Sequence, residues 1–496
     1  MKVNSGFDIF GHNKLTRHMK RILLFLIFLS YQSIGQTVYQ PHEVESQAVP
    51  AGGAAVLNQF LLSNVQIPFK SGIHGLNKKV FVKGVVEADG SMTGLEIVKG
   101  LDSLCNIEAM RVLGLYKSWK PASIKDQKVR QTVIYQVPFN VDAPENFDST
   151  SWSFVNYYDK KYYPTTIAKD YKYRSVMPVN EQGYIKGDIV YEEFRLGHWS
   201  KVNTVPFQRK ELWHKVYGEP GIDSVKVYQL LAEDKNETNY APVLTFQDNG
   251  KLIAYKEYVA GNKTALRKQY YLSGMLKEVE TSGDSSVTNV SWYSNGQLRS
   301  VVEYPVKQVL FDSKVFGVWE ANGKQTVKDG NGWWKYNSDE SKKLLYEQGA
   351  VHEGVKTGKW VGKWSDSTIY YVESYDNGIL KEGHCFVNGE KVTYAEKAIQ
   401  PHFKGGINSL YQFLGQNIKY PSEAARRGIT GRVRVSFTVC EDGSLCDYKV
   451  EKGVVQDIDD EALRVVKKMS GKWEPGELRG QKVRVQYNLP VNFIMQ

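Results

Sequence analysis

This chain of 496 residues is short of histidine, cysteine, proline and long apolar runs, and each shortage removes a class of function. Its nine histidines stand apart, without the paired carboxylates or cysteine spacing of a metal site. No Gly-x-Ser-x-Gly turn or phosphate-binding glycine loop stands out, so no enzyme is expected and no cofactor is implied. The acidic run Asp459-Asp460-Glu461 falls at a helix start, where a structural role suffices. The 16 prolines are scattered and leave no proline-rich spacer. Apolar residues run together only from Ile22 to Leu29, well short of the roughly 18–20 needed to cross a bilayer. A net charge of +10 is mild for this length and does not argue for nucleic acid.

What is present begins with an export signal. Lys20 and Arg21 precede the apolar run, and Ser33 and Gly35 supply small residues before Gln36, so residues 1–35 are expected to be a cleaved signal peptide. An uncleaved anchor is the alternative. Cleavage would remove five basic residues and one acidic residue and leave about +6. In an exported chain the four cysteines raise the question of a disulfide. Cys440 and Cys446 flank Asp442-Gly443 on one side of a hairpin, where a cross-hairpin disulfide and two free surface thiols fit equally well. Cys105 reads as a small buried apolar residue.

The chain also repeats itself. Asp89-Gly90-Ser91 returns as Asp442-Gly443-Ser444, 353 residues later (443 less 90). The same offset carries Gly52-Gly53 onto Gly405-Gly406, Phe60-Leu61 onto Phe413-Leu414, Pro68 onto Pro421 and Glu108-Ala109 onto Glu461-Ala462. One inserted residue later, Trp119-Lys120-Pro121 meets Trp473-Glu474-Pro475, and Lys128-Val129-Arg130 meets Lys482-Val483-Arg484. Two copies of one domain are therefore expected, at residues 50–142 and 400–496.

In the second copy, Pro421 and Gly428 bracket a short helix. Val433, Val435, Phe437 and Val439 alternate with polar residues, as a half-buried strand does. Asp442-Gly443 is a hairpin turn, and Leu445, Tyr448 and Val450 belong to the returning strand. Ile458, Ala462, Val465 and Met469 give one apolar helical face, with Asp457 as the expected N-cap. Val483, Val485, Tyr487 and Leu489 mark a final strand. This order predicts helices on one face of a small antiparallel sheet whose last strand lies at an edge or pairs on part of its length. Spare N–H and C=O groups there can take up an extended peptide.

Tyr420-Pro421, the Gly428–Gly431 segment leading to Val433, the Asp442-Gly443 turn, Glu461-Ala462-Leu463, Trp473-x-Pro475 and the Val483–Phe493 strand together resemble the C-terminal domain of the TonB family. The resemblance implies a periplasmic domain that captures a short peptide from outer-membrane transporters by strand addition. It implies peptide contact at Gln416, Asn417, Tyr420 and Pro421, and on the last strand at Val483, Val485, Tyr487 and Leu489. The first copy departs from the pattern. Ile67 replaces the tyrosine before Pro68, Lys78 aligns with Gly431, and Gly84 replaces Phe437. Family members that transduce energy have a membrane-spanning N-terminal helix and usually a proline-rich spacer, and this chain has only a short signal-like run.

Residues 150–398 between the copies pair an aromatic with a small-residue–glycine turn: Phe246 with Asn249-Gly250, Tyr271 with Ser273-Gly274, Tyr293 with Asn295-Gly296, Trp319 with Asn322-Gly323, and Tyr375 with Asn377-Gly378. Leu252, Leu276, Leu298 and Leu380 each lie two residues beyond the glycine. This is a hairpin repeat similar to degenerate MORN-type repeats, and it reads as a packing array, a stiff spacer or an extended binding face. Trp333, Trp334, Trp360 and Trp364 could stack on sugars, yet packing between repeats explains their spacing better.

The expected fold class is α+β: two small TonB C-terminal-like domains, helices on a short antiparallel sheet, separated by a mostly antiparallel β-hairpin repeat region. The expected function is that of a TonB-like periplasmic protein of the energy-transduction and transmembrane-transport family. The alternative is an exported envelope scaffold that binds proteins without transducing energy. Implied partners are outer-membrane TonB-dependent receptors or other envelope proteins, with inner-membrane motor proteins added if the chain is anchored. A homodimer is left open. The expected location is the periplasm or cell envelope of a Gram-negative-type bacterium, in association with the inner membrane if the signal is retained.

Overall fold

The computed structural model describes residues 37–216, 221–235, 238–259, 263–306, 313–340 and 343–494. The export signal expected in residues 1–35 lies outside them. Among the described residues no helix is long and apolar enough to cross a membrane.

The expected α+β class is corrected by the content, which is 54% strand and 14% helix in large antiparallel sheets. The chain is mostly β. Its longer helices are confined to residues 54–115 and 406–467, and the hairpins of residues 147–394 outweigh them. The chain divides into two compact units, residues 1–300 with 319–325, and residues 301–318 with 326–496.

In the first unit, β1 (Val38–Tyr39) and β2 (Val49–Pro50) lead into α1 (Ala54–Asn64) and α2 (Phe69–Gly72). Then come β3 (Leu76–Val86), β4 (Met92–Lys99), α3 (Ser103–Leu115), β5 (Trp119–Lys120), β6 (Ala122–Ile124) and the long β7 (Gln127–Val141). The sheet order is β1-β7-β3-β4, with β6 also on β7. Val80, Val82 and Val86 alternate into a core closed by Phe60, Leu61, Ala109, Val112 and Trp119. Cys105 is fully buried in it, as its apolar surroundings in the sequence suggest. Five strands between Phe147 and Val205 follow as a second sheet, and the strands from Phe207 to Trp292 pair antiparallel in chain order. Their turns close through Gly250 N to Gln247 O, Gly274 N to Tyr271 O and Gly296 N to Tyr293 O. Hairpins are joined by their tyrosines. Tyr271 donates to the Trp292 carbonyl at 2.8 Å, and Tyr293 to that of Trp319 at 3.0 Å.

In the second unit, the strands Asn331–Glu340, Lys343–His352, Val355–Trp364, Ile369–Asp376, Ile379–Val387 and Glu390–Tyr394 likewise pair in chain order. The chain continues through β8 (Ala398–Ile399), β9 (His402–Phe403), α4 (Gly406–Asn417), α5 (Ser422–Arg426), β10 (Gly431–Val439) and β11 (Leu445–Lys452). It ends with α6 (Gln456–Lys467), β12 (Trp473–Glu474), β13 (Gly476–Leu478), β14 (Gln481–Val483) and β15 (Val485–Phe493). Residues 54–141 and 406–493 run through the same order of helices and strands except at the end, where β14 and β15 stand in place of the continuous β7. Val433, Val435, Phe437 and Val439 face Ile458, Ala462, Val465, Met469 and Trp473 in one apolar core. The N-cap of α6 is Val455 rather than Asp457, because the Asp459 carboxylate accepts from the Val454 amide at 2.8 Å and sets the entry two residues earlier.

Candidate functional site

The site is built on the edge of the small sheet β11-β10-β15. β10 is central, with four buried residues on one face, and β15 pairs with it from Gly431↔Phe493 to Val439↔Val485. Among the described residues no strand lies on the other side of β15. Leu489, Val491 and Phe493 turn into the core, while Gln486, Asn488, Pro490 and Asn492 are exposed. A proline tolerated within a sheet carries its missing N–H on the unpaired side. Gln486, Asn488 and Asn492 share the alternation of Pro490, so their N–H groups face the open edge.

The side chains named from the family pattern are distributed unevenly about this edge. Tyr487 packs against Trp473, with ring centroids 4.8 Å apart, and Leu489 is buried, so these residues offer the edge their backbone and not their side chains. Val485 is half-buried. Val483 lies in β14, which pairs with β13, so it is not on the open edge. Tyr420 donates to the Ile429 carbonyl and packs edge-on against Phe493 at 5.8 Å. Pro421 caps α5. Gln416 is exposed near the end of α4, and Asn417 Nδ2 turns back to the Phe413 carbonyl at 2.9 Å.

A carboxylate fixes the Gln416–Lys419 segment. Glu461 accepts from the Lys419 amide at 2.5 Å and from Arg464 at 2.6 and 2.7 Å, and Arg464 also donates to the Asn417 carbonyl at 2.8 Å. Burial pushes the Glu461 carboxyl up, but the bonds from Arg464 and Lys419 outweigh it and hold it below its ordinary value. Glu108 and Arg111 hold the same network atom for atom. Glu108 accepts from the Gln66 amide at 2.6 Å and from Arg111 at 2.6 and 2.7 Å, and Arg111 reaches the Asn64 carbonyl at 2.9 Å. The hairpin turns match as well. A Cβ on Gly443 (φ +80°) would lie 2.3 Å from the Trp473 carbonyl oxygen, and one on Gly90 (φ +85°) 2.6 Å from that of Trp119.

The two small sheets differ at the edge. In the first, β1 runs parallel to β7, with Val38↔Arg130 and Tyr39↔Gln131. At the equivalent distance ahead of the second copy stand Lys391 and Val392, and these are paired to Phe386 and Cys385 in the repeat sheet. The lead-in segment that pairs with Arg130 and Gln131 of β7 thus has its counterpart committed to the repeat sheet.

Beside the start of β15, Arg484 pairs with Asp447 at 2.8 Å and lies 3.2 Å from the Cys446 sulfur. The Cys440 and Cys446 sulfurs face each other at 2.7 Å as free thiols. Under oxidised glutathione these two should lose reactivity toward iodoacetamide together, as one disulfide forms. Cys105 and Cys385, both fully buried, should stay unlabelled throughout in the native protein. Independent loss of the first two labels, read by peptide mass, would refute the pairing.

Sequence reasoning missed a second charged centre. Arg479, at the β13–β14 turn, is 1% exposed and inserts among the repeat strands. Its Nε donates to Glu373 at 3.0 Å, Nη2 lies 3.8 Å from Glu347, and the guanidinium sits 3.9 Å above the Tyr371 ring. Tyr375 and Tyr394 donate to Glu373 at 2.7 and 2.8 Å, and Tyr336 donates to Glu347 at 2.9 Å. Burial raises the Glu347 carboxyl, but Lys397, Lys356, the Tyr371 hydroxyl and Arg479 overcome that and bring it to about 2. The only signal in the sequence was a charged residue at a turn, which is ordinarily solvent-facing.

The last domain is thus a small antiparallel sheet with one open edge, backed by a helix-covered core. Residues 416–495 match the family described as Gram-negative bacterial TonB protein C-terminal. The chain therefore carries a TonB C-terminal domain at its end. Two NMR solution structures of Helicobacter pylori TonB-CTD are each 27% identical over 18% of this chain, with a TM-score of 0.15. The match spans 78% of the longer fragment and 90% of the shorter. No curated protein matches the chain.

Proposed function

We propose that this protein is a TonB-like component of the cell envelope that takes up extended segments of outer-membrane receptors on β15, by strand addition and without catalysis. The observation that carries this reading is the unpaired outer edge of β15. Main-chain hydrogen bonds supply the affinity, and the exposed Gln486, Asn488 and Asn492 side chains tune the choice of peptide. Residues 50–142 are a second, diverged domain of the same kind, supported by the repeated Glu–Arg network and order of elements. Export to the periplasm follows from this role and from the signal read in residues 1–35.

The test uses the full chain and a peptide from the N-terminal segment of an outer-membrane receptor, with a scrambled peptide beside it. Asn488→Pro removes one outward N–H in the way Pro490 already does, and should weaken binding roughly tenfold or more. Asn488→Ala keeps that N–H and should bind nearly as the parent does. Equal retention of native and scrambled peptides, or full affinity in Asn488→Pro, would defeat strand addition.

A scaffold role without energy transduction is the second reading. The observation in its favour is the insertion of Arg479 among the repeat strands, which fastens the docking domain to the rest of its unit.

A further inference from the structure

In the first unit, one end of the five-stranded sheet of residues 147–205 carries large apolar side chains into solvent. The last row shared by four of its strands is Tyr158, Tyr173, Glu193 and Ser200. Beyond that row project the connection of residues 159–172 and the hairpin tip of residues 194–199. The two lie side by side. Lys172 Nζ donates to the Phe194 carbonyl at 3.1 Å, and the Phe194 amide donates to the Lys172 carbonyl at 2.9 Å. Tyr162 stacks on Tyr173 with ring centroids 4.2 Å apart. Tyr162, Tyr163, Ile167, Phe194 and Leu196 are all exposed here, Leu196 by 98%.

The backbone makes this exposure costly. Leu196 and Gly197 form a two-residue turn between the paired Arg195 and His198, with φ of +49° and +82°. Asparagine, aspartate or glycine suits the first place of such a turn, whereas leucine is strained there and gains no burial in return. Tyr162 is held in the same left-handed region, at φ +65°. Its turn is fixed by the Asp159 carboxylate, which accepts from the Lys161 and Tyr163 amides at 2.7 and 3.0 Å. Among the described residues Trp152 is the one other bulky apolar side chain on a left-handed backbone, and it is half-buried. The charge around the tip is mostly positive. Lys160, Lys161 and Lys169 are exposed, while Asp159 turns to its own loop and Glu193 pairs with Lys172 and Arg195. Asp170 is the one exposed carboxylate of residues 159–172.

We propose that this end of the sheet is a lipid-docking tip, which sets Leu196, Tyr162, Tyr163, Ile167 and Phe194 into the headgroup region of an anionic membrane leaflet. The arrangement fits a lipid surface better than a protein one. The apolar side chains stand on two separate projecting loops, and a fluid interface closes around each, whereas a folded partner needs a matching pocket for every one. Tyrosine suits that depth because its ring is apolar and its hydroxyl is polar. The lysines supply attraction to anionic headgroups, and their stems lie along the apolar layer while the ammonium groups stay in water. Attachment of this kind grows with the apolar area buried and with the negative charge of the leaflet.

The experiment follows hydrogen exchange in the full chain as vesicles are added, either equimolar phosphatidylcholine and phosphatidylglycerol or phosphatidylcholine alone. Exchange at residues 160–171 should slow roughly threefold or more with the anionic vesicles and much less with the neutral ones. The readout is local, so attachment through any other part of the chain does not imitate it. Leu196→Asn keeps a residue suited to the left-handed turn and leaves the hairpin folded. It should raise the lipid concentration needed for half of the slowing about fivefold or more. Lys160→Glu with Lys161→Glu should abolish the preference for anionic lipid. Equal slowing by both kinds of vesicle, or a Leu196→Asn variant that responds as the parent does, overturns the proposal. Exchange that neither vesicle slows also overturns it, and leaves a protein as the occupant of these side chains.

Discussion

Arg479→Ala should cost about 3–5 kcal/mol, because it takes the guanidinium away from the buried Glu373 and Glu347 carboxylates and leaves only Lys356 and Lys397 acting on them. A buried ion pair contributes little against a well-packed apolar replacement, but breaking one from a single side strands a desolvated charge. Arg479→Lys should recover only part of the loss. A lysine ammonium cannot reproduce the planar fork that reaches both carboxylates while stacking on Tyr371. In a chain of several domains one unfolding midpoint is not defined, so the readout is hydrogen exchange in Lys343–His352 and Ile369–Asp376. Unchanged protection there in Arg479→Ala would refute the role given to the arginine.

The same centre sets an acid limit. The folded Glu347 value of about 2 lies below its ordinary 4.5, so this carboxylate's stabilisation is complete above pH 4.5 and is lost as pH falls through about 2. Without Arg479, one of the groups holding it down, the folded value rises, so this stabilisation should be smaller and its loss complete at a higher pH.

Arg479 also marks where sequence reading stops. Strands β10 and β11 and helix α6 were legible because their burial follows their own periods: Val433, Val435, Phe437 and Val439 every second residue, and Ile458, Ala462 and Val465 on one helical face. Helix α4 was not legible. It buries Leu410 and Leu414 but exposes Ile407 and Tyr411, so apolar residues stand on both of its faces and blur the pattern. The fold class was misjudged because the helix-bearing ends carry the clearest local signals, while hairpins fill most of the length between them. The Arg479–Glu373 contact joins residues 106 apart, and nothing in the local pattern of either announces the other. At the docking edge, the outward strand was readable from alternation, but that Tyr487 and Leu489 face the core depends on the packing of Phe437 and Trp473 beneath them.

Three glycines within the hairpin strands, outside the turn pattern read from the sequence, pack against aromatic rings. Gly362→Ala should destabilise the second unit by about 1–3 kcal/mol by forcing an overpacked contact. A Cβ there would sit 2.1 Å from a ring carbon of Tyr371, its cross-strand partner on Ile369–Asp376. Tyr371 has nowhere to retreat, since its ring is fully buried, its hydroxyl donates to Glu347 and Arg479 covers its face. Gly349 opposite Trp360 and Gly383 opposite Tyr394 repeat the arrangement, with would-be Cβ contacts of 2.4 and 2.2 Å. In each pair an aromatic ring lies over a missing side chain on the next strand, an exchange that packs a ring where two side chains would collide. Backbone strain does not enter at Gly362, because its φ is not in the left-handed region. The cost should therefore be relieved by trimming the ring. In a double-mutant cycle, Gly362→Ala added to Tyr371→Leu should cost less than Gly362→Ala alone, measured by the same hydrogen exchange. Strict additivity would mean that the glycine and the ring do not act as a pair, and the cross-strand rule for these hairpins would fall with it.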